Sequence, residues 1–206
     1  MAEIEFKHAC SLGNYCFNAA FLKDIGVRES SMPFDWLFTT VISTAHIIMD
    51  DFKEFTNKEH YCDVADVVPS HNGRQAGHAK YHPNFFNHKN PRNEEDHQYY
   101  LRCIERFRNL LESKEKKLFM VSYKNEDFNI SDILKLNVEL EKVTTNYHIL
   151  VHSNTPFQKG RKSIMTHYKN MSFYQFWSQH ANGGLGYIGE DQIEFNKVFH
   201  ENFKKV

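Results

Sequence analysis

The chain has little of what marks a secreted, fibrous or nucleic-acid-binding protein. Its four cysteines, Cys10, Cys16, Cys62 and Cys103, are too few and too scattered for a disulfide framework, and no CxxC pair suggests a zinc ribbon or redox motif. Five prolines and nine glycines gather into no linker, and no repeat or low-complexity tract occurs, so a single domain over residues 1–206 is expected. Apolar runs of about 18 residues are absent, which excludes a membrane-spanning helix at the level of sequence. The first residues, MAEIEFKHAC, carry neither the basic nor the apolar region of a signal peptide, and a cytoplasmic protein is expected. Neither sign of charge prevails: 25 Lys+Arg against 26 Asp+Glu leave a net charge of −1, which gives no electrostatic reason for a nucleic-acid or membrane partner.

What is present suffices for a core, since 41% of the residues are apolar and 15% aromatic. The 13 histidines are the oddity, and many of them fall between His60 and His97. Ile4 to Cys10 reads as a strand, broken by Ser11-Leu12-Gly13. Asn14 to Ile25 reads as a helix, with Asn14 as its N-cap, Cys16 in its first turn and Gly26 as its stop. Pro33-Phe34-Asp35-Trp36 is an irregular joint before a helix from about Ile42 to Phe52, and Cys62 to Pro91 has the content of loops and short strands. A long helix is expected over Glu94 to Ser113, then a strand at Leu118 to Tyr123, a helix at Ser131 to Val143 capped by Ser131 or Asp132, and a strand at Tyr147 to His152. That strand-helix-strand run predicts a right-handed crossover between parallel neighbours. An aromatic helix at Ser172 to His180, a glycine-rich stretch and a last helix to about Phe203 complete the expectation. The fold class is a single mixed α/β domain with a central sheet flanked by helices; the alternative is a papain-like α+β arrangement.

Cys10-Ser11-Leu12-Gly13-Asn14-Tyr15-Cys16 is the strongest chemical arrangement, because it reads strand, glycine loop, helix, with a thiol at the helix N-terminus. Unpaired N–H groups and the positive end of the helix dipole lower a thiol's pKa there and can hold a developing oxyanion. A buried packing role is the ordinary alternative for such a cysteine. A nucleophilic thiol also needs a base brought from elsewhere in the chain.

At these residues the sequence resembles a family of papain-like cysteine peptidases. The resemblance is carried by Ser11-Leu12-Gly13 with Cys16, Leu22-Lys23 with Gly26-Val27-Arg28, and Ser31 with Pro33-Phe34-Asp35-Trp36. Phe86 with His88 and the run Arg102 to Phe107 extend it, so that it covers roughly the first 120 residues. It implies Cys16 as nucleophile and His88 as general base, with His78 and His82 as fallback bases or groups in the same cleft. It also implies a residue that orients the histidine: Asp35 is favoured over Asn125 and Asp127, and the ordinary role of Asp35 would be pairing with Arg28. The glutamine of true papains, expected several residues before the nucleophile, is replaced by Cys10-Ser11. Ser11 or Asn14 would then assist the oxyanion, and Trp36 would line the substrate site.

The function implied is a cysteine-dependent hydrolase or acyl transferase acting on a peptide, amide or thioester carbonyl, with no cofactor and no metal. One alternative is a catalytically silent relative that binds a partner, through the same cleft or through Gly183-Gly184-Leu185-Gly186 with Phe173, Tyr174, Phe176 and Trp177. The other is a metal site from His71, His78, His82 and His88 with Asp63 or Asp66, which lacks any HExxH signature. Cys10, six positions before Cys16, is a candidate redox partner for it.

Overall fold

Every side chain from Leu118 to Tyr123 is buried, the pattern of a strand covered on both faces. In the computed structural model, which describes residues 3–64, 74–124, 128–156, 163–178 and 186–206, this segment is strand β6 (Lys117–Lys124). It lies second in a five-stranded sheet ordered β2 (His8–Ser11), β6, β7 (Tyr147–Pro156), β9 (Met171–Ser178) and β8 (Ile164–Tyr168). The first four strands run parallel, and β8 closes the edge antiparallel to β9.

The alternation of a strand sends successive side chains to opposite faces. Phe119 and Val121, with Ile149 and Val151 of β7, enter a core shared with Val41 and Ala45 of α2 (Val41–Met49), Phe107 of α4 (Glu94–Glu112) and Leu136 of α5 (Ile130–Val143). Leu118, Met120 and Leu150 enter the opposite core, shared with Phe17 and Phe21 of α1 (Phe17–Asp24) and Phe195 and Phe199 of α6 (Glu190–Asn202). Helices therefore cover both faces, as the mixed α/β expectation holds, and the largely parallel sheet sets the fold apart from the α+β alternative. Parallel β6 and β7 are joined through α5, as their spacing predicts. Among the described residues no helix is long and apolar enough to cross a membrane.

Two smaller pieces complete the chain. A three-stranded antiparallel sheet, β3 (Tyr61–Cys62), β4 (Arg74–His78) and β5 (His82–Asn87), follows the short helix α3 (Lys53–Thr56). β1 (Ile4–Phe6) pairs in parallel with the terminal β10 (Phe203–Lys205). The expected strand from Ile4 to Cys10 is thus divided at Lys7 between two sheets.

The expected helix at Ser172 to His180 is a correction: the described part is β9, between β7 and β8. Its aromatic residues suit a pleated surface with neighbours on both sides, and pairing partners far along the chain outweigh the local helical spacing. The cap of α5 is Asn129, whose side chain accepts the Ser131 N–H at 3.0 Å, not Ser131 or Asp132. Residues Gly183, Gly184 and Leu185 lie outside the described residues, while Tyr174 and Phe176 belong to the core.

Phe195 packs its ring against Phe17, Phe21, His152, Tyr174, Phe176 and Tyr187. Phe195→Ala should therefore cost about 3–5 kcal/mol in urea unfolding. Ile193→Ala, at a position 69% exposed, should stay within about 0.5 kcal/mol of the native chain.

Candidate functional site around Cys16

β2 ends at Ser11, and the next residues bend the chain sharply. Gly13 and Asn14 both have left-handed backbone, at φ 85° and 80°. Gly13 is required twice over, because a Cβ there would lie 2.3 Å from Thr39 Oγ1. Ser11 Oγ accepts the Gly13 N–H at 3.2 Å, and Thr39 Oγ1 accepts the Asn14 N–H at 2.8 Å. Asn14 is consequently not the helix cap. Its amide donates to the Ser122 carbonyl of β6, and Cys16 takes the N-cap position, with its carbonyl accepting the Ala20 N–H at 3.0 Å. The thiol stands just outside the carboxyl end of a parallel strand, where the N–H groups of the first helical turn have no carbonyl of their own helix to bond.

A buried amide fastens this bend to the sheet. Asn18 Nδ2 donates to Gly13 O at 3.1 Å and to Met120 O at 3.2 Å, and Asn18 Oδ1 accepts the Ser122 hydroxyl. Ser122 Oγ lies 3.4 Å from His152 Nδ1, and His152 Nε2 lies 2.7 Å from the Tyr187 hydroxyl. His152 also stacks on Phe17, ring centroids 5.1 Å apart, directly after Cys16 in the chain. Burial pulls the His152 pKa down to about 3, so its ring is neutral at pH 7.

The sulfur is reached from the other side by β5. Asn87 Nδ2 donates to Cys16 Sγ at 3.2 Å. The Pro33-Phe34-Asp35-Trp36 joint sets that strand in place: Trp36 O accepts the Asn87 N–H at 3.1 Å, Phe85 O accepts the Phe38 N–H at 2.9 Å, and Leu37 bridges Phe86. His88 follows Asn87 in left-handed backbone, φ 66°, with its ring exposed and edge-on to Trp36 at 5.5 Å. Arg28 covers Trp36 at 5.6 Å and pairs with Asp35, which also accepts the Met32 N–H at 2.8 Å. Asp35 thus meets Arg28 in the role ordinary for it. Contacts pass from Asp35 to Arg28, from Arg28 to Trp36 and from Trp36 to His88.

Cys16 is only 5% exposed, and burial pushes its thiol up from its ordinary value. The Asn87 amide and the cysteine's own N–H pull it down, and the Asp35 charge adds to the rise. The lowering expected from a helix N-terminus is thus outweighed by desolvation. Burial likewise raises the Asp35 carboxyl, against the pull of Arg28.

Of the other anticipated residues, His78 is fully buried; Glu54 O lies 3.0 Å from its Nε2, and its Nδ1 accepts the Lys80 N–H at 3.3 Å. It braces the turn after β4 rather than facing the thiol, and burial pulls its pKa down to about 4. His82 Nδ1 accepts the Asn84 N–H at 3.0 Å, and both residues line a cavity of about 450 Å³ with Asn14 and Tyr15. Asn125, Asp127, His71 and Asp66 lie outside the described residues, and among the described residues no group of three His, Cys, Asp or Glu could hold a metal. Cys10 is buried in the α2 side of the core with its thiol on Ser11 O at 3.3 Å.

The residue bonded to the sulfur, Asn87, and the Asn18-Ser122-His152-Tyr187 chain beneath it were not anticipated. Asn87 stood in plain sight inside the Phe86-Asn87-His88 element. The others come from elements far apart along the chain, and no spacing links them.

The model of the family described as "Putative papain-like cysteine peptidase" (DUF1796) matches residues 7–204. No curated protein and no solved structure matches the chain.

Two outcomes follow. An unfolded imidazole titrates near pH 6.5, so between that value and about 3 the unfolded chain binds a proton that His152 refuses in the folded one. The contribution is full above pH 6.5 and shrinks as pH falls, and His152→Gln should remove about 1.4 kcal/mol per pH unit from the slope of urea stability between pH 6 and 4. For the thiol, the pH profile of Cys16 alkylation by iodoacetamide should have its midpoint above that of a free cysteine. Asn87→Ala, which deletes the amide donor, should move that midpoint higher still.

Proposed function

We propose, for a chain that belongs to the family of papain-like cysteine peptidases, a cysteine hydrolase or acyl transferase with Cys16 as nucleophile and His88 as general base. The observation that carries this reading is the meeting at one sulfur of a helix start and a strand end: Cys16 caps α1, and Asn87, immediately before His88, donates to its Sγ.

Because the resting thiol is protonated, its proton leaves only as substrate arrives. The exposed His88 ring turns from Trp36 toward the sulfur and takes that proton, and the sulfur bonds to the carbonyl carbon. The oxyanion is held by N–H groups of the first turn of α1, which follows the bend that Asn18 and Ser122 keep in place. The carbon–nitrogen bond then breaks, the amine leaves with the proton from His88, and an acyl thioester remains on Cys16. Water or a second amine attacks the thioester, its proton passes to the thiolate through His88, and the free thiol returns. A peptide or other amide is the substrate class that fits the family, and Trp36, whose ring stands edge-on to His88, would line the substrate site.

One observation favours a second reading, a catalytically silent partner-binding relative: the thiol is neutral, and its hydrogen-bond partner is an amide. Turnover of a panel of acyl-aminocoumarin amides and acyl thioesters separates the two. Cys16→Ala should abolish turnover, and His88→Ala should lower kcat/KM by about 10²–10⁴-fold. An acyl adduct on Cys16 should be seen by mass spectrometry. Turnover that survives Cys16→Ala, or a panel on which the native chain forms no adduct, would transfer the assignment to the silent reading.

A further inference from the structure

A carbonyl carbon that bonds to Cys16 brings its oxygen to a place two bonds from the sulfur, so a donor already touching the sulfur stands within reach of the oxyanion that forms there. Two N–H donors meet the sulfur: the cysteine's own backbone N–H and the side-chain amide of Asn87, whose Nδ2 lies 3.2 Å from Sγ. The side chains anticipated for this role from the sequence are turned elsewhere. Ser11 Oγ, in a residue 1% exposed, accepts the Gly13 N–H, and the Asn14 amide donates to the Ser122 carbonyl.

Asn87 is fixed by the backbone around it. It ends β5 in register with Arg74 of β4, and its N–H donates to Trp36 O at 3.1 Å. At 8% exposure its amide has little water to turn to. A donor held in this way needs no reorganisation as charge develops beside it, which is the condition for electrostatic stabilisation of a transition state. Its partner at rest is a weak acceptor, because the thiol is neutral, and sulfur bonded to two carbons accepts weakly as well. A hydrogen bond to an anionic oxygen is about twice as strong as one between neutral groups. The Nδ2–H bond therefore gains in passing from sulfur to oxyanion, and only an interaction that is stronger in the transition state than in the ground state speeds the chemical step.

We propose that Asn87 is a catalytic residue of the Cys16 centre, its side-chain amide passing from the sulfur to the oxyanion during acyl transfer. The proposal rests on Cys16 as the reacting thiol. As the sulfur bonds to the carbonyl carbon, the thiol proton goes to His88 and the π electron pair of the carbonyl goes to its oxygen. Asn87 Nδ2–H and the first-turn N–H groups hold that oxygen. The pair then returns to re-form the carbonyl as the bond to the leaving group breaks, and the amide rests on the thioester oxygen. The end of β5 thus delivers the donor and the base in consecutive residues.

The test compares two reactions of one thiol. Iodoacetamide alkylates it through a saturated carbon and forms no oxyanion, whereas p-nitrophenyl acetate acylates it through one. Both rates are measured at the same pH, alkylation by mass spectrometry at Cys16 and acylation by p-nitrophenolate release above that of the Cys16→Ala chain. A change in thiol ionisation acts on both reactions and cancels in their ratio. Asn87→Ala and Asn87→Leu, the second of which fills the space without a donor, should each lower the acylation-to-alkylation ratio by about 10²-fold. A ratio unchanged in both variants would overturn the proposal and leave Asn87 acting on the thiol's proton alone. A ratio lowered in only one of them would overturn it as well, since the loss would then follow packing and not the donor. Either result leaves Cys16 standing as nucleophile. Release by the native chain no faster than by Cys16→Ala would instead remove the nucleophile, and the role of Asn87 with it.

Discussion

The site depends on one buried amide. Asn18 is fully buried and bonds the carbonyls of Gly13 and Met120 and the hydroxyl of Ser122, which ties the bend after β2 to the neighbouring strand. A bend with two left-handed residues in succession has no regular hydrogen bonding of its own: Ser11 and Thr39 take its N–H groups, and Asn18 takes the Gly13 carbonyl. Position and orientation of Cys16 follow from that clasp, because the helix it caps starts where the clasp ends. The parallel sheet supplies the rest, since β2 ends at Ser11, opposite Met120, while β6 runs on beside the bend and offers it the Met120 and Ser122 carbonyls.

Burial then sets the chemistry. A thiol at a helix start in water is a good nucleophile, but this one is buried, and desolvation outweighs the pull of the Asn87 amide and of its own backbone N–H. In the reaction proposed above, such a thiol gives up its proton only against bound substrate. The same low-polarity surroundings hold His152 neutral, so the ring beneath the bend serves as a hydrogen-bonding link between Ser122 and Tyr187.

Much of the scaffold was legible locally. α4, expected over Glu94 to Ser113, runs Glu94–Glu112, and its apolar spacing is helical throughout. β6, α5 and β7 were likewise readable, each from its own run of residues. β9 was not, because aromatic residues spaced as in Ser172 to His180 satisfy both a helical and a strand reading, and only pairing with β7 and β8 decides between them. Asn14 was misjudged as a cap for a related reason: its amide has a better partner in Ser122 O, more than a hundred residues away.

By itself, then, the sequence determined that a thiol follows a strand and a glycine bend at the start of a helix, for these are short-range properties of Ser11 to Asp24. It also marked Phe86-Asn87-His88 and Pro33-Phe34-Asp35-Trp36 as elements belonging with that thiol. Only the tertiary structure decided that Asn87 is the residue on the sulfur, that Asp35 spends its charge on Arg28, that His78 braces a turn, and that the thiol rests protonated. Those outcomes depend on which distant side chains converge and on how completely water is excluded between them. Both are properties of the packed sheet and its two covering layers, and neither is encoded in the spacing of any one segment.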